Sequence, residues 1–414
     1  MAQNAHSITK KNIVILGGSY GGVSTAHYLL KHAIPQLPVE AGYKIVLVSA
    51  SSQVMCRPAC PRALISDDMF PQEKLFVDIA TAFEKYPSSS FHFICGTATA
   101  LDHVRRNVTI TLAQDKGNET LDFDALVIAT GASTASPLLG LNHDFDSLRQ
   151  SWHEFRQALS QAKSIVIAGG GPAAVETAGE LGEYLNGRKG LEKPKVAITL
   201  VAGGSKILPA LRPAIAQTAE AYLGQVGVTI IKNTRVQDTN PPGAGVVNVA
   251  LNATLTLSDG RTLTTDLYIP ATGTRPNTSF VDDSLLTPDG RVETNTSTLR
   301  VDKAGPRIYA IGDASSYARP AVHNILAAVP ILCANIKRDL LLTLDNQKSS
   351  ASNDRLFKED TRETQMVPIG KSKGVGAAMG YRLPSFLVWL IKGRDYWLWT
   401  TGKLWSGDQW AKES

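Results

Sequence analysis

Two glycine-rich turns carry most of the chemical meaning in this sequence. Ile13-Val14-Ile15-Leu16 runs into Gly17-Gly18-Ser19-Tyr20-Gly21-Gly22, and Ile165-Val166-Ile167-Ala168 runs into Gly169-Gly170-Gly171-Pro172-Ala173-Ala174. Each turn follows a β-branched run and opens a helical stretch, the second of them alanine-rich. In such a strand-turn-helix unit the glycines let the backbone approach a pyrophosphate, and the helix N-terminus offers free N–H groups and the positive end of its dipole. One turn of this kind is weak evidence. Two imply two dinucleotides held face to face, the arrangement that hydride transfer from a nicotinamide to a flavin requires.

Other residues could add chemistry to that frame. Glu176 stands five residues past Gly171, with Glu180 one turn further along the same helix face. Cys56-Arg57-Pro58-Ala59-Cys60 falls shortly after the second expected strand, where a redox-active cysteine pair could lie beside a flavin. Its three-residue spacing and Pro58 argue for plain small apolar residues instead. Both units lack the acid that often closes the second strand and binds the ribose hydroxyls: Val48-Ser49 ends one, and Leu200-Val201-Ala202-Gly203-Gly204-Ser205-Lys206 ends the other. Ser49 can donate only a weaker hydrogen bond to an adenosine ribose. Near the second strand no carboxylate repels a 2′-phosphate, and Lys206 and Arg212 favour one, so NADPH is permitted.

The elements that must position these residues repeat. The first unit reads as a strand from Asn12, a helix over Val23 to Lys31, a strand over Lys44 to Val48, a segment Phe91 to Leu101, and a β-rich stretch through Val108 to Leu112 and Thr120 to Phe123. It closes on Asp124-Ala125-Leu126-Val127-Ile128-Ala129-Thr130-Gly131. The second unit has the same grammar: a helix over Ala173 to Leu185, a strand over Val196 to Val201, a hairpin around Ser258-Asp259-Gly260-Arg261, and a closing Asp266-Leu267-Tyr268-Ile269-Pro270-Ala271-Thr272-Gly273. A buried strand then ends in Ile311-Gly312-Asp313, an apolar helix covers Ala321 to Leu342, and polar residues from Asp345 to Gln365 read as an exposed linker.

With 414 residues the chain exceeds one core. The fold class is α/β, with two Rossmann-like dinucleotide-binding domains, the second inserted in the first, and a small C-terminal α+β subdomain. The expected boundaries are 1–135 and 273–342 for the first dinucleotide-binding domain, 136–272 for the second, and 343–414 for the linker and terminal subdomain. A net charge of +5 over this length is too dilute to argue for nucleic acid. Four cysteines do not make a disulfide framework, and no signal-peptide or membrane-spanning run is evident, so an intracellular location is expected. Five of six tryptophans lie in the last 26 residues, in a segment with Lys392, Arg394 and Lys403. They read as aromatics packing on the flavin domain, with peripheral membrane contact as the alternative.

The glycine turns, the paired Ala-Thr-Gly turns, Ile311-Gly312-Asp313, and Gly374-Val375-Gly376 with Leu383-Pro384-Ser385-Phe386 together resemble the two-dinucleotide flavoprotein reductases. More narrowly they resemble the apoptosis-inducing-factor-like branch that includes ferroptosis suppressor protein and fungal relatives. The resemblance implies FAD on Gly17, Gly18, Ser19, Tyr20, Gly21 and Gly22, with Ser49, Arg62, the backbone of Ala98, Thr130, Gly131, Gly312 and Asp313 also in contact. NAD(P)H would lie on Gly169, Gly171, Pro172, Lys206 and Gly273, and Glu176 would sit near the nicotinamide and flavin. His323 and Asn324 fit better as core or capping residues than as flavin contacts. No metal is expected. The leading activity is oxidation of NAD(P)H with electrons passed to a quinone-like or other small acceptor. A disulfide reductase using Cys56 and Cys60, and a signalling flavoprotein with redox-set conformation, are the alternatives.

Overall fold

In a computed structural model of the chain, residues 11–38, 42–188, 193–344 and 353–413 are described. The first glycine turn belongs to a seven-stranded sheet. Its strands run in the order Ile308–Ala310, Ala125–Ile128, Lys11–Leu16, Tyr43–Ser49, Phe91–Asp102, Asn107–Leu112, Asn118–Asp122. The first five are parallel and the last two are antiparallel additions. Ile13, Val14, Ile15 and Leu16 are almost fully buried because a central parallel strand is covered on both faces, which explains an unbroken apolar run where a half-exposed strand would alternate. The second turn belongs to a four-stranded parallel sheet ordered Val228–Ile231, Ala197–Val201, Ser164–Ala168, Leu267–Pro270. The expected hairpin forms between Ala253–Leu257 and Thr262–Thr265.

The helices follow the turns directly. Tyr20–Tyr28 carries on through irregular turns to Gln36, so the helical stretch outruns the expected Lys31. Pro172–Asn186 places proline at its first position, where the missing N–H is not needed. The expected apolar helix near the end of the first unit spans Val322–Leu344. The two crossings between the sheets, Ala132–Thr134 and Thr274–Pro276, pair antiparallel side by side.

Both units share one joint. Gly17 has φ +118°, and a Cβ there would lie 2.1 Å from the Ala129 carbonyl oxygen. Gly169 has φ +138°, and its Cβ would lie 2.2 Å from the Ala271 carbonyl oxygen. Matching hydrogen bonds surround each: Gly17 N–H to Val48 and Ala129 N–H to Leu16, against Gly169 N–H to Val201 and Ala271 N–H to Ala168. Any side chain at Gly17 or Gly169 would separate the glycine turn from its Ala-Thr-Gly partner.

The C-terminal residues form an antiparallel sheet, Gln365–Ile369, Lys373–Ala378 and Tyr381–Arg382, followed by short helices. Gly179 of the second-unit helix lets this sheet in, since a Cβ there would meet Ile369 Cα at 2.9 Å. The tryptophans divide between two environments. Trp405 packs edge-on to Tyr20, with centroids 4.8 Å apart, and Trp410 packs on Tyr28, whereas Trp399 is 59% exposed and Trp389 is 37% exposed. Lys392 is buried, which corrects its reading as an interfacial cation. Among the described residues no helix is long and apolar enough to cross a membrane. Of the expected linker, residues 345–352 lie outside the described residues. The remainder is pinned down: Arg300 pairs with Asp354 at 2.8 Å, Asn335 bonds the Arg355 backbone, and Phe357 is buried against Tyr317.

This division sets a stability contrast. Trp405→Ala should cost about 3 to 5 kcal/mol by opening a cavity against the first-unit helix, while Trp399→Ala should change stability by less than about 0.5 kcal/mol. Thermal unfolding of both variants checks it, with a clear fall in Tm for Trp405→Ala alone.

Candidate active site

One continuous cleft of about 1350 Å³ runs between the two sheets and is lined by both glycine turns and both Ala-Thr-Gly turns. That exceeds the roughly 300 to 1,000 Å³ of a site for one drug-sized ligand. Gly17, Gly18, Ser19, Tyr20, Gly21, Ser49, Ala98, Thr130, Gly131, Gly312 and Asp313 line its first part. Gly169, Gly171, Pro172, Glu176 and Gly273 line its second. A Cβ built at Gly131, Gly171 or Gly273 meets nothing within 4 Å, so the backbone at these points faces open space. Neither Ser19 nor Gly171 caps its helix with a side chain, and neither helix has an acid in its first turn. The first-turn N–H groups therefore remain available to an anion. Two dinucleotides fit this cradle.

Four residues expected at the cofactors stand elsewhere. Gly22 lies under the first turn, where a Cβ would strike the Gly17 carbonyl oxygen at 1.7 Å, so it serves packing. Arg62 is buried and grips Glu180 with two hydrogen bonds of 2.8 Å, reaching no part of the cleft surface. Lys206 donates its ammonium to the Leu211 carbonyl oxygen, and Arg212 pairs with Glu363 at 2.7 Å, so both cations expected at a 2′-phosphate are held by the protein itself. Arg57 stands in the cleft where Arg62 was expected. Its Nη1 is 3.6 Å from Asp313 and donates to the Ala132 carbonyl at 3.1 Å. His323 is exposed and Asn324 bonds the Arg319 carbonyl, and neither lines the cleft.

At the centre lies a charged network that spans four segments of the chain. Lys392 Nζ meets Glu176 Oε1 at 2.5 Å and also donates to the Met366 carbonyl at 3.1 Å, and both side chains are buried while lining the cleft. One turn along the same helix, Glu180 accepts from Arg62 and, at 3.0 Å, from the Tyr396 hydroxyl. The Lys392 ammonium lies 4.9 Å from the Trp397 ring centroid, and the Arg62 guanidinium 4.8 Å from that of Tyr396. Burial raises the Glu176 carboxyl to about 7, with Lys392 holding it lower than burial alone would. Spacing within the helix brings Glu176 and Glu180 to one face. Lys392, 216 residues away, had no signal in the local sequence beyond its place in an aromatic run.

The cysteines differ. Cys56 and Cys60 are free, buried and absent from the cleft surface. Burial pushes their thiols up to about 11 and about 12. Cys56 accepts from the Tyr20 hydroxyl and donates to the Tyr396 carbonyl, which suits a packing thiol. A nucleophilic cysteine needs a lowered value and access.

The family model for pyridine nucleotide-disulphide oxidoreductases matches residues 11–329. The chain is 64% identical over 412 residues to oxidoreductase phnG of Penicillium herquei, covering 98% of both chains. It is 24% identical over 399 residues to ferroptosis suppressor protein 1 of Homo sapiens, covering 95% of each. Its fold matches the sulfide:quinone oxidoreductase of Aquifex aeolicus with a TM-score of 0.68 at 17% identity, over 96% of this chain and 92% of that one. The chain belongs to the pyridine nucleotide-disulphide oxidoreductase family, as an NAD(P)H-dependent flavoprotein oxidoreductase.

Proposed function

We propose that FAD lies along the first glycine turn and NAD(P)H along the second, and that the enzyme passes electrons from NAD(P)H to a quinone-like or other small acceptor. The observation that carries this reading is the single cleft into which both turns, Asp313 and the Glu176–Lys392 pair all face. FAD, when bound, supplies an acceptor for a hydride and a store for two electrons. The protein's part is positioning, charge placement and exclusion of water.

Each residue has a defined task. The open backbone N–H groups of the two helix starts hold the pyrophosphates. Asp313 accepts hydrogen bonds from ribityl hydroxyls, with Arg57 opposite it to balance its charge and pair with phosphate oxygens. Lys392 keeps a cation in the cleft, anchored by Glu176 and the Met366 carbonyl, where negative charge develops on reduction. Glu176, when ionised, accepts a hydrogen bond at Oε1 or Oε2 from a carboxamide. Phe386, Trp389 and Leu390 are exposed on and beside the turn that carries Lys392, offering an apolar approach for an aromatic acceptor. The burial of both thiols favours this reading over a disulfide reductase.

Anaerobic titration of the purified yellow protein with NADPH tests the reading, with bleaching of the flavin before any acceptor is added as the expected result. Cys56→Ala with Cys60→Ala should leave bleaching and quinone turnover within a few-fold of wild type. Loss of turnover with bleaching intact would instead point to a dithiol centre. Asp313→Ala should weaken FAD retention about tenfold to a hundredfold, the loss of a charge-assisted hydrogen bond of about 1.5 to 3 kcal/mol, read by flavin release on dilution.

The raised carboxyl sets a pH signature. Above about 7 Glu176 is ionised and accepts a hydrogen bond, and below it the proton removes an acceptor. The Kd for NAD(P)H should therefore rise as pH falls through 7, and Glu176→Gln should flatten that dependence. The linkage sign for stability is opposite. Because the folded value is raised above the ordinary carboxylate range, ionising Glu176 opposes folding, so its contribution to stability declines as pH rises from that range through 7.

A further inference from the structure

We propose that Arg235 is the specificity-determining residue for the second nucleotide, binding the 2′-phosphate of NADPH and making NADPH the preferred electron donor. This rests on the assignment of the second glycine turn to the nicotinamide nucleotide. Arg235 lies far from the glycine turn in sequence, just past the strand Val228–Ile231, yet it lines the same cleft. Its side chain lies across Gly203, two residues past the end of the strand Ala197–Val201: a Cβ on Gly203 would be 2.8 Å from Arg235 Nε and 3.0 Å from its Cγ. That is the strand end where dinucleotide folds place an acid for the ribose hydroxyls. Here the position offers no carboxylate, and a guanidinium covers it.

The partners of the other cleft cations isolate this one. Among the described residues, the lysines and arginines lining the cleft are Arg57, Arg235 and Lys392. Arg57 faces Asp313 and Lys392 is tied to Glu176. Among the described residues, no ion pair engages Arg235. Nearby charges are spoken for: Lys232 pairs with Glu220, Arg261 with Asp259, Lys206 bonds Leu211, and Arg212 pairs with Glu363. The backbone under Arg235 is fixed, since its N–H donates to Ser258 Oγ at 3.0 Å and its carbonyl accepts from Ser258 N–H at 2.8 Å. The buried Thr234 beside it donates its N–H to the Ala202 carbonyl, which locks this loop to the strand end. A planar guanidinium on a rigid base, with no carboxylate partner among the described residues, is suited to a phosphate monoester bound bidentately.

The test uses the FAD-loaded protein and the adenosine fragments 2′,5′-ADP and 5′-AMP, so binding is read by calorimetry without hydride transfer. Wild type should bind 2′,5′-ADP about tenfold or more tighter than 5′-AMP. Arg235→Ala should abolish that gap while 5′-AMP affinity moves by less than about twofold. Gly203→Asp, which places a carboxylate against Arg235, should reverse the preference, and this second variant guards against a trivial defect in the first. A wild type without preference, or an Arg235→Ala protein that keeps it, overturns the proposal while leaving the nucleotide site intact. Failure of both fragments to bind wild type would overturn the site assignment and the proposal together.

Discussion

At the mouth of each parallel sheet a glycine lies against a carbonyl oxygen at a separation no side chain could tolerate. Gly17 meets Ala129 and Gly169 meets Ala271, and each contact closes a three-strand corner with the same hydrogen-bond pattern. This joint brings the glycine turn, the start of the helix and the Ala-Thr-Gly turn to one edge. In each unit a crossing strand leaves from that edge, and the two crossings pair with each other. The two edges consequently face one shared cleft, and the rest of the site is built around that geometry.

The C-terminal residues complete the cleft and also tie the units together. Gln365–Ile369 packs on the second-unit helix through Gly179, while Trp405 and Trp410 pack on the first-unit helix. Between these anchors the chain delivers Lys392 to Glu176 and Tyr396 to Glu180. Buried ion pairs of this kind contribute little net stability, because desolvation offsets their attraction. Their benefit is placement, since removing one partner would leave a bare buried charge. Function and terminal docking are therefore coupled in this molecule.

Much of this was legible in the sequence because it is local. A β-branched run, a glycine turn and a helix occupy about twenty consecutive residues, and both copies fold in that order, the first helical stretch running on past its expected end. The Glu176 and Glu180 face follows from helical spacing alone. What the sequence concealed depends on distant pairings. Arg62 and Arg57 lie five apart beside the same prolines, and only the position of Glu180 decides that Arg62 turns inward while Arg57 enters the cleft. Lys206 and Arg212 stand next to the expected phosphate position, yet Leu211 and Glu363 occupy them. Arg235 reaches Gly203 from the loop that follows a neighbouring strand, a contact that residue spacing does not encode. The tryptophan cluster likewise has one composition but two environments, set by which rings the first-unit helix covers.

The central claim is that two seats in one cleft hold two different nucleotides, and Gly171 offers the most direct way to separate them. Its Cβ position is open, so Gly171→Val adds bulk to the second seat without disturbing the protein around it. Stopped-flow mixing of this variant with NADPH under anaerobic conditions, alongside its flavin content, is the decisive measurement. The account predicts full FAD content and a thermal stability close to wild type, with flavin reduction slowed by about tenfold or more at subsaturating NADPH. Unchanged reduction, or loss of FAD from the variant, would contradict the assignment of the two seats.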